Sequence, residues 1–177
     1  GSETTTNALS EGVRLLIANP DQWTLLKSDP DKYVPLLAEE VLRLEGPVQG
    51  LFRSTTQEVV LHGVTIPAGA VINVRYAAAN RDDSQFDCPA DMDLNRDNVR
   101  SHLSFGFGTH FCLGAPLARR ELIIGFRALV DRIDRMWFID GENDFAEVVQ
   151  EPGDIGLARV GIAQFVGEQA GNAGDSQ

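Results

Sequence analysis

Residues 105–119 read FGFGTHFCLGAPLAR. Gly106, Gly108 and Gly114 surround a single cysteine, Cys112. Each glycine lets the backbone turn left-handed or approach a neighbour in ways a side chain would block. Pro116 follows, and proline is favoured in the first turn of a helix. Cys112 therefore falls just ahead of a helix start, where free backbone amides can donate to a sulfur anion. A thiolate held in this way can bind a metal, although a buried, inert cysteine has the same claim on chemistry alone.

Outward from this loop, the periodicity of Leu122, Phe126, Leu129 and Ile133, broadened by Ile123 and Val130, predicts a helix over Pro116–Ile133. Upstream, Asp82–Leu103 is polar and aperiodic, and longer than connecting loops usually run, so it is either functional or packed against something. Before it, Leu51–Leu61 and Val64–Val74 are rich in β-branched residues and read as strands, punctuated by His62-Gly63 and Pro67-Ala-Gly69. Three helices are expected ahead of the strands. The first spans residues 3–18, with Leu9, Val13, Leu16 and Ile17 on one stripe. The second, Asp21–Ser28, is entered through Pro20, and the third, Tyr33–Leu44, is stopped by Gly46-Pro47. Trp137–Ile139 and Leu157–Phe165 read as strands, and residues 167–177 as a frayed tail.

Composition narrows the function classes. Apolar residues make up 43% and charged residues 23% of 177 positions, which fits a folded domain rather than a disordered chain. No apolar run is long enough to span a bilayer, and the first residues lack the pattern of an export signal, so a cytoplasmic protein without membrane association is expected. Cys88 and Cys112 are the two cysteines, which argues against a disulfide framework. The net charge of −11 argues against general nucleic-acid binding. Within residues 96–135, however, Arg96, Arg100, Arg119, Arg120, Arg127, Arg132 and Arg135 stand against four acids. Such a basic patch on an acidic protein suits an acidic docking partner; ordinary solvated helix charge is the equal alternative.

The loop resembles the haem-binding signature of the cytochrome P450 family, F-x-x-G-x-[HR]-x-C-x-G, matched by Phe105, Gly108, His110, Cys112 and Gly114. The LGAPLAR continuation is similar to its soluble bacterial branch. The resemblance implies a mainly α fold with a small β region, corresponding to the C-terminal part of the P450 fold. The chain would run from the second half of the distal helix through the ligand loop and proximal helix, as one partial domain over residues 1–166. It implies haem b (iron protoporphyrin IX) as cofactor, with Cys112 as axial thiolate, Phe105 packed beside it and His110 bonded to a propionate. Gly106, Gly108 and Gly114 would complete the cofactor-binding loop. Thiolate ligation favours O–O cleavage. A zinc site from Cys88, His102, His110 and Cys112 is the rival, but it lacks the paired spacing that zinc sites show.

Further segments carry the likeness. Glu40 and Arg43 match the family's E-x-x-R pair, by resemblance a buried structural anchor behind the loop; Glu11 and Arg14 fit the same spacing but lack the strand-rich segment that follows. Arg53 matches a propionate-binding arginine, whose planar fork suits a carboxylate. The family's third anchor arginine is missing from its slot at Pro89–Met92, and Arg96 is a candidate substitute. Glu3 and Thr4 match the acid–alcohol pair that positions O2 and relays protons to it. The implied reaction is hydroxylation of a small organic substrate, with electrons from an acidic ferredoxin-type donor at the proximal face. Two alternatives remain. One is a truncated, non-catalytic fragment with weak or no haem binding, and the other is a peroxide-driven or isomerising relative.

Overall fold

The computed structural model describes residues 2–138 and the strand Ala163–Val166. The expected mixture of helices and small sheets is present. Helix α1, Ser2–Ala18, buries Thr5, Ala8, Gly12, Leu15 and Leu16 along one stripe. Asn19 closes it by donating both its backbone N–H and its side-chain amide to the Leu15 carbonyl, at 3.0 and 2.8 Å. Pro20 then opens α2, Pro20–Ser28, where its missing N–H costs nothing. Helix α3, Pro30–Glu45, starts three residues earlier than its apolar periodicity suggests. The cause is Asp29, whose carboxylate accepts the Lys32 N–H at 3.2 Å and caps the first turn.

Helix α3 is the centre of the fold. From Leu37 to Leu44 every residue is buried, and the helix packs against α1, α2 and the later α5. Two of those buried residues are adjacent acids, Glu39 and Glu40. Buried carboxylates need partners, and these two find them in His102 and Arg119 for Glu39 and in Arg43, Arg96 and the Asp93 N–H for Glu40.

The two expected strands are each split. Strand β1, Leu51–Ser54, pairs antiparallel with β4, Val71–Val74, while β2, Val59–Leu61, pairs with β3, Val64–Ile66. The inner hairpin turns at His62 and Gly63, both with positive φ, the geometry that matches strand twist in a two-residue turn. The split falls where Thr55 and Pro67 meet: the Thr55 hydroxyl donates to the Pro67 carbonyl at 2.6 Å and accepts the Ala70 N–H at 3.0 Å. These side-chain bonds add to two backbone bonds, Thr55 N–H to Ala70 at 3.0 Å and Gly69 N–H to Thr55 at 2.8 Å. A short helix, α4 (Tyr76–Ala79), follows.

Residues 82–103 form turns with a single 3-10 turn at Val99–Ser101, and they are packed rather than loose. Phe86, Met92, Leu94 and Val99 are all buried. Helix α5, Ala115–Val130, ends three residues short of its apolar pattern; Ile133 still donates its N–H to Leu129 but in a turn leading to β5, Arg135–Phe138. Strand β5 pairs antiparallel with β6, Ala163–Val166. The rest of the expected strand over Leu157–Phe165 and the expected tail over 167–177 lie outside the described residues. Among the described residues no helix is long and apolar enough to cross a membrane.

Candidate functional site

Cys112 lies between a 3-10 turn, Gly108–His110, and the start of α5. The loop is closed by its own backbone: Cys112 N–H donates to the Phe105 carbonyl at 2.9 Å, Gly106 N–H to Leu103 at 2.8 Å and Phe111 N–H to Gly108 at 3.0 Å. Gly106 and Gly108 both have φ of +73°, so their conformations are ones that side-chain-bearing residues rarely adopt. Cys112 is a free, exposed thiol. On the same loop and in the first turn of α5, apolar side chains are uncovered: Phe107 is 85%, Leu113 98% and Leu117 63% exposed. His110 is exposed on the same loop. One sulfur ligand, a run of exposed apolar side chains and a nearby imidazole suit a large flat cofactor, which brings its own ring nitrogens to the metal. Among the described residues no three His, Cys, Asp or Glu side chains are grouped to hold a metal between them.

The remaining sequence-derived residues sit apart from this loop in the chain. Arg53 is exposed on β1, its guanidinium donating to the Phe52 carbonyl at 2.9 Å. Glu3 and Thr4 are exposed in the first turn of α1, and the next residue, Thr5, donates to Glu121 of α5 at 2.9 Å. Glu40 and Arg43 are fully buried and joined by two bonds, Nε to Oε2 at 2.7 Å and Nη2 to Oε1 at 2.8 Å. Arg96 completes the cluster, its Nε 3.3 Å from Glu40 Oε1. Both arginines also donate into backbone carbonyls of the irregular stretch, Arg43 to Pro89 and Asp91 and Arg96 to Asp87, Cys88 and Asp91; Arg43 reaches Asn80, at the end of α4, as well. That stretch is packed because two guanidinium groups take up its carbonyls.

The basic patch is smaller than a count of arginines suggests. Arg96 is buried in the cluster just described, Arg119 is bonded to Glu39, and Arg127 is paired with Asp31 and Asp131. Arg100, Arg120, Arg132 and Arg135 remain exposed. Arg120 and Arg132 flank a shallow groove on the outer face of α5 that also includes Ile123 and Ile124.

The sequence does not single out Glu39 or give His102 a place behind the loop. Glu39 is 4% exposed and accepts from Arg119 Nε at 2.7 Å, Arg119 Nη2 at 3.1 Å and His102 Nε2 at 3.0 Å. Burial alone would push its pKa up. The hydrogen bonds from His102 and Arg119, with the positive charge of Arg119, outweigh burial and hold it down to about 2. Ser104 N–H donates to His102 Nδ1 at 3.2 Å, which assigns the proton to Nε2, facing Glu39. Adjacent acids in the apolar run LLAEEVLRL were the available signal, since carboxylates are seldom buried without partners.

Residues 31–134 match the model of the family described as cytochrome P450. The chain belongs to the cytochrome P450 family. It is 43% identical to putative cytochrome P450 140 of Mycobacterium tuberculosis over 132 residues, which is 75% of this chain and 30% of the relative. It is 42% identical to a steroid C26-monooxygenase of Mycolicibacterium smegmatis, over 76% of this chain and 32% of that one. Among solved structures, CYP109E1 from Bacillus megaterium in complex with corticosterone superposes with a TM-score of 0.81 at 33% identity, covering 92% of this chain and 42% of that chain. The chain thus spans about a third of the length of these curated P450 relatives. Membership implies a haem cofactor.

Proposed function

We propose that this chain is the haem-ligand-bearing, C-terminal part of a cytochrome P450 monooxygenase, with Cys112 as the thiolate that would hold haem b. The observation that carries the reading is the exposed Cys112 thiol in a glycine-turned loop, beside uncovered Phe107, Leu113 and Leu117. In this reading α1 is the second half of the distal helix and α5 the proximal helix.

When bound, haem supplies the oxygen-activating chemistry that places one oxygen atom of O2 in a small organic substrate and releases the other as water. The protein groups do the rest. Cys112 would hold the haem iron as its thiolate ligand, the ligation that gives this cofactor its oxygen-activating character. Phe107, Leu113 and Leu117 give the cofactor an apolar face and exclude water from it. His110 donates to one propionate and Arg53 presents its fork to another. On α1, Thr4 holds a proton at its hydroxyl for the oxygen site, and Glu3 replenishes it from solvent, to which it is open. The exposed Arg120 and Arg132, with Ile123 and Ile124 between them, suit an acidic ferredoxin-type electron donor, because like patches on both partners would repel.

The test is the reduced carbon monoxide spectrum of the haem-loaded enzyme containing this segment. The wild type is expected to give the red-shifted Soret band of thiolate ligation, and Cys112→Ser to lose it. A wild-type protein that takes up haem without that band would overturn the assignment.

A further inference from the structure

Leu103 and Ser104 are tied to Asn80 and to the Leu42 carbonyl of α3, but from Phe107 to Leu113 the Cys112 loop has few attachments to the body of the protein. Phe107, Gly108, Thr109, His110, Phe111 and Leu113 are exposed, and the three backbone bonds that close the loop all run within it. What fixes it must act at its ends, and one carboxylate reaches both.

Glu39 projects from the central helix α3. Its Oε1 takes the Arg119 Nε–H, and its Oε2 takes Arg119 Nη2 and His102 Nε2. His102 precedes the loop, and Arg119 stands in the second turn of α5, just beyond it. A two-pronged, charge-assisted arrangement of this kind is directional as well as strong. The Arg119 guanidinium lies 4.7 Å over the Phe105 ring, and that ring is tilted against His102 at 5.9 Å and Phe111 at 6.3 Å. The Phe105 carbonyl in turn receives the Cys112 N–H at 2.9 Å. A continuous path of contacts therefore runs from Glu39 to the backbone of Cys112. Glu40, the neighbouring acid, serves a different segment, holding Arg43 and Arg96 against the irregular stretch upstream.

We propose that Glu39 is a positioning residue for the Cys112 loop, clamping His102 and Arg119 at its two ends and, through Arg119, setting the Phe105 ring against it. This rests on the reading of Cys112 as the haem ligand. The loop's geometry is then fixed by α3 before cofactor binds, instead of being imposed by the cofactor.

Two measurements test it. In the 177-residue chain, Glu39→Gln is expected to speed amide hydrogen exchange in peptides covering 103–114 by roughly tenfold or more, as loss of a charge-assisted bond should. Peptides from α1 and α2 are expected to keep their rates. Arg119→Lys keeps the charge but loses the fork and the flat contact with Phe105, and should speed the same peptides less; it decides the question alone if Glu39→Gln does not fold. In the haem-loaded enzyme, both variants are expected to lose part of the thiolate-type carbon monoxide band at unchanged haem content. Exchange that is unchanged in the loop, or raised uniformly through the helices, overturns the inference, as does an intact band. A wild type lacking the band sinks the Cys112 reading instead, whatever the variants do.

Discussion

All five N–H groups of Arg43 are donated: two to Glu40 and one each to the carbonyls of Asn80, Pro89 and Asp91. A planar fork alone can do this, since an ammonium has three donors and no fixed plane. Arg43→Ala should therefore lower unfolding stability by about 3–5 kcal/mol, the usual cost of leaving a buried charge without its partner. Arg43→Lys should recover only a minor part, because the three carbonyls compete for fewer donors. Urea unfolding of the three proteins measures both effects, and a Lys variant as stable as the wild type would show that charge, not the fork, is what matters. The i,i+3 spacing of Glu40 and Arg43 was legible in the sequence. Their burial came only with the family likeness, and the carbonyls they serve had no signature at all, because backbone acceptors look alike at every position. Arg96 could be named as a substitute third member, yet its place depended on how residues 87–91 turn.

At the scale of elements, the apolar stripes located the helices well, but close approach between helices rests on two glycines that the stripes pass over. A β-carbon at Gly12 of α1 would lie 2.3 Å from Phe126 Cζ, a ring that is 1% exposed and has no room to turn. A β-carbon at Gly125 of α5 would lie 2.7 Å from Leu9 Cδ2, the tip of a half-buried, flexible side chain. Both substitutions gain about 1 kcal/mol of helix propensity. At Gly12 the clash should outweigh this, so that Gly12→Ala destabilises by about 1–3 kcal/mol. Gly125→Ala should come out near neutral as Leu9 swings aside. Thermal melts of the two variants rank them, and equal losses would mean that α1 and α5 shift apart at either site. The strands were legible as β-rich runs, but not their division, which falls where Thr55 meets Pro67 in the turn between β3 and β4.

The whole molecule carries a net charge of −11, so acidification has two opposed effects. Protonating surface carboxylates relieves self-repulsion and favours the folded chain. Protonating Glu39 does the reverse. Its folded pKa is held at about 2, against an ordinary value of 4.5, so the folded state prefers the carboxylate more strongly than the unfolded chain does. That contribution is complete above roughly pH 5, declines as pH falls through the unfolded value, and is gone near the folded one. From the size of the depression it is on the order of 3 kcal/mol. Wild-type pH dependence alone would mix the two effects. Comparison with Glu39→Gln separates them, because the surface charge is otherwise the same. The variant should be the less stable protein at neutral pH, and the gap should shrink toward zero between about pH 5 and pH 2. Urea midpoints taken across that range give the gap directly. A gap that stays constant with pH would mean that the His102 and Arg119 bonds do not depend on the Glu39 charge, and that shape alone holds the ends of the Cys112 loop.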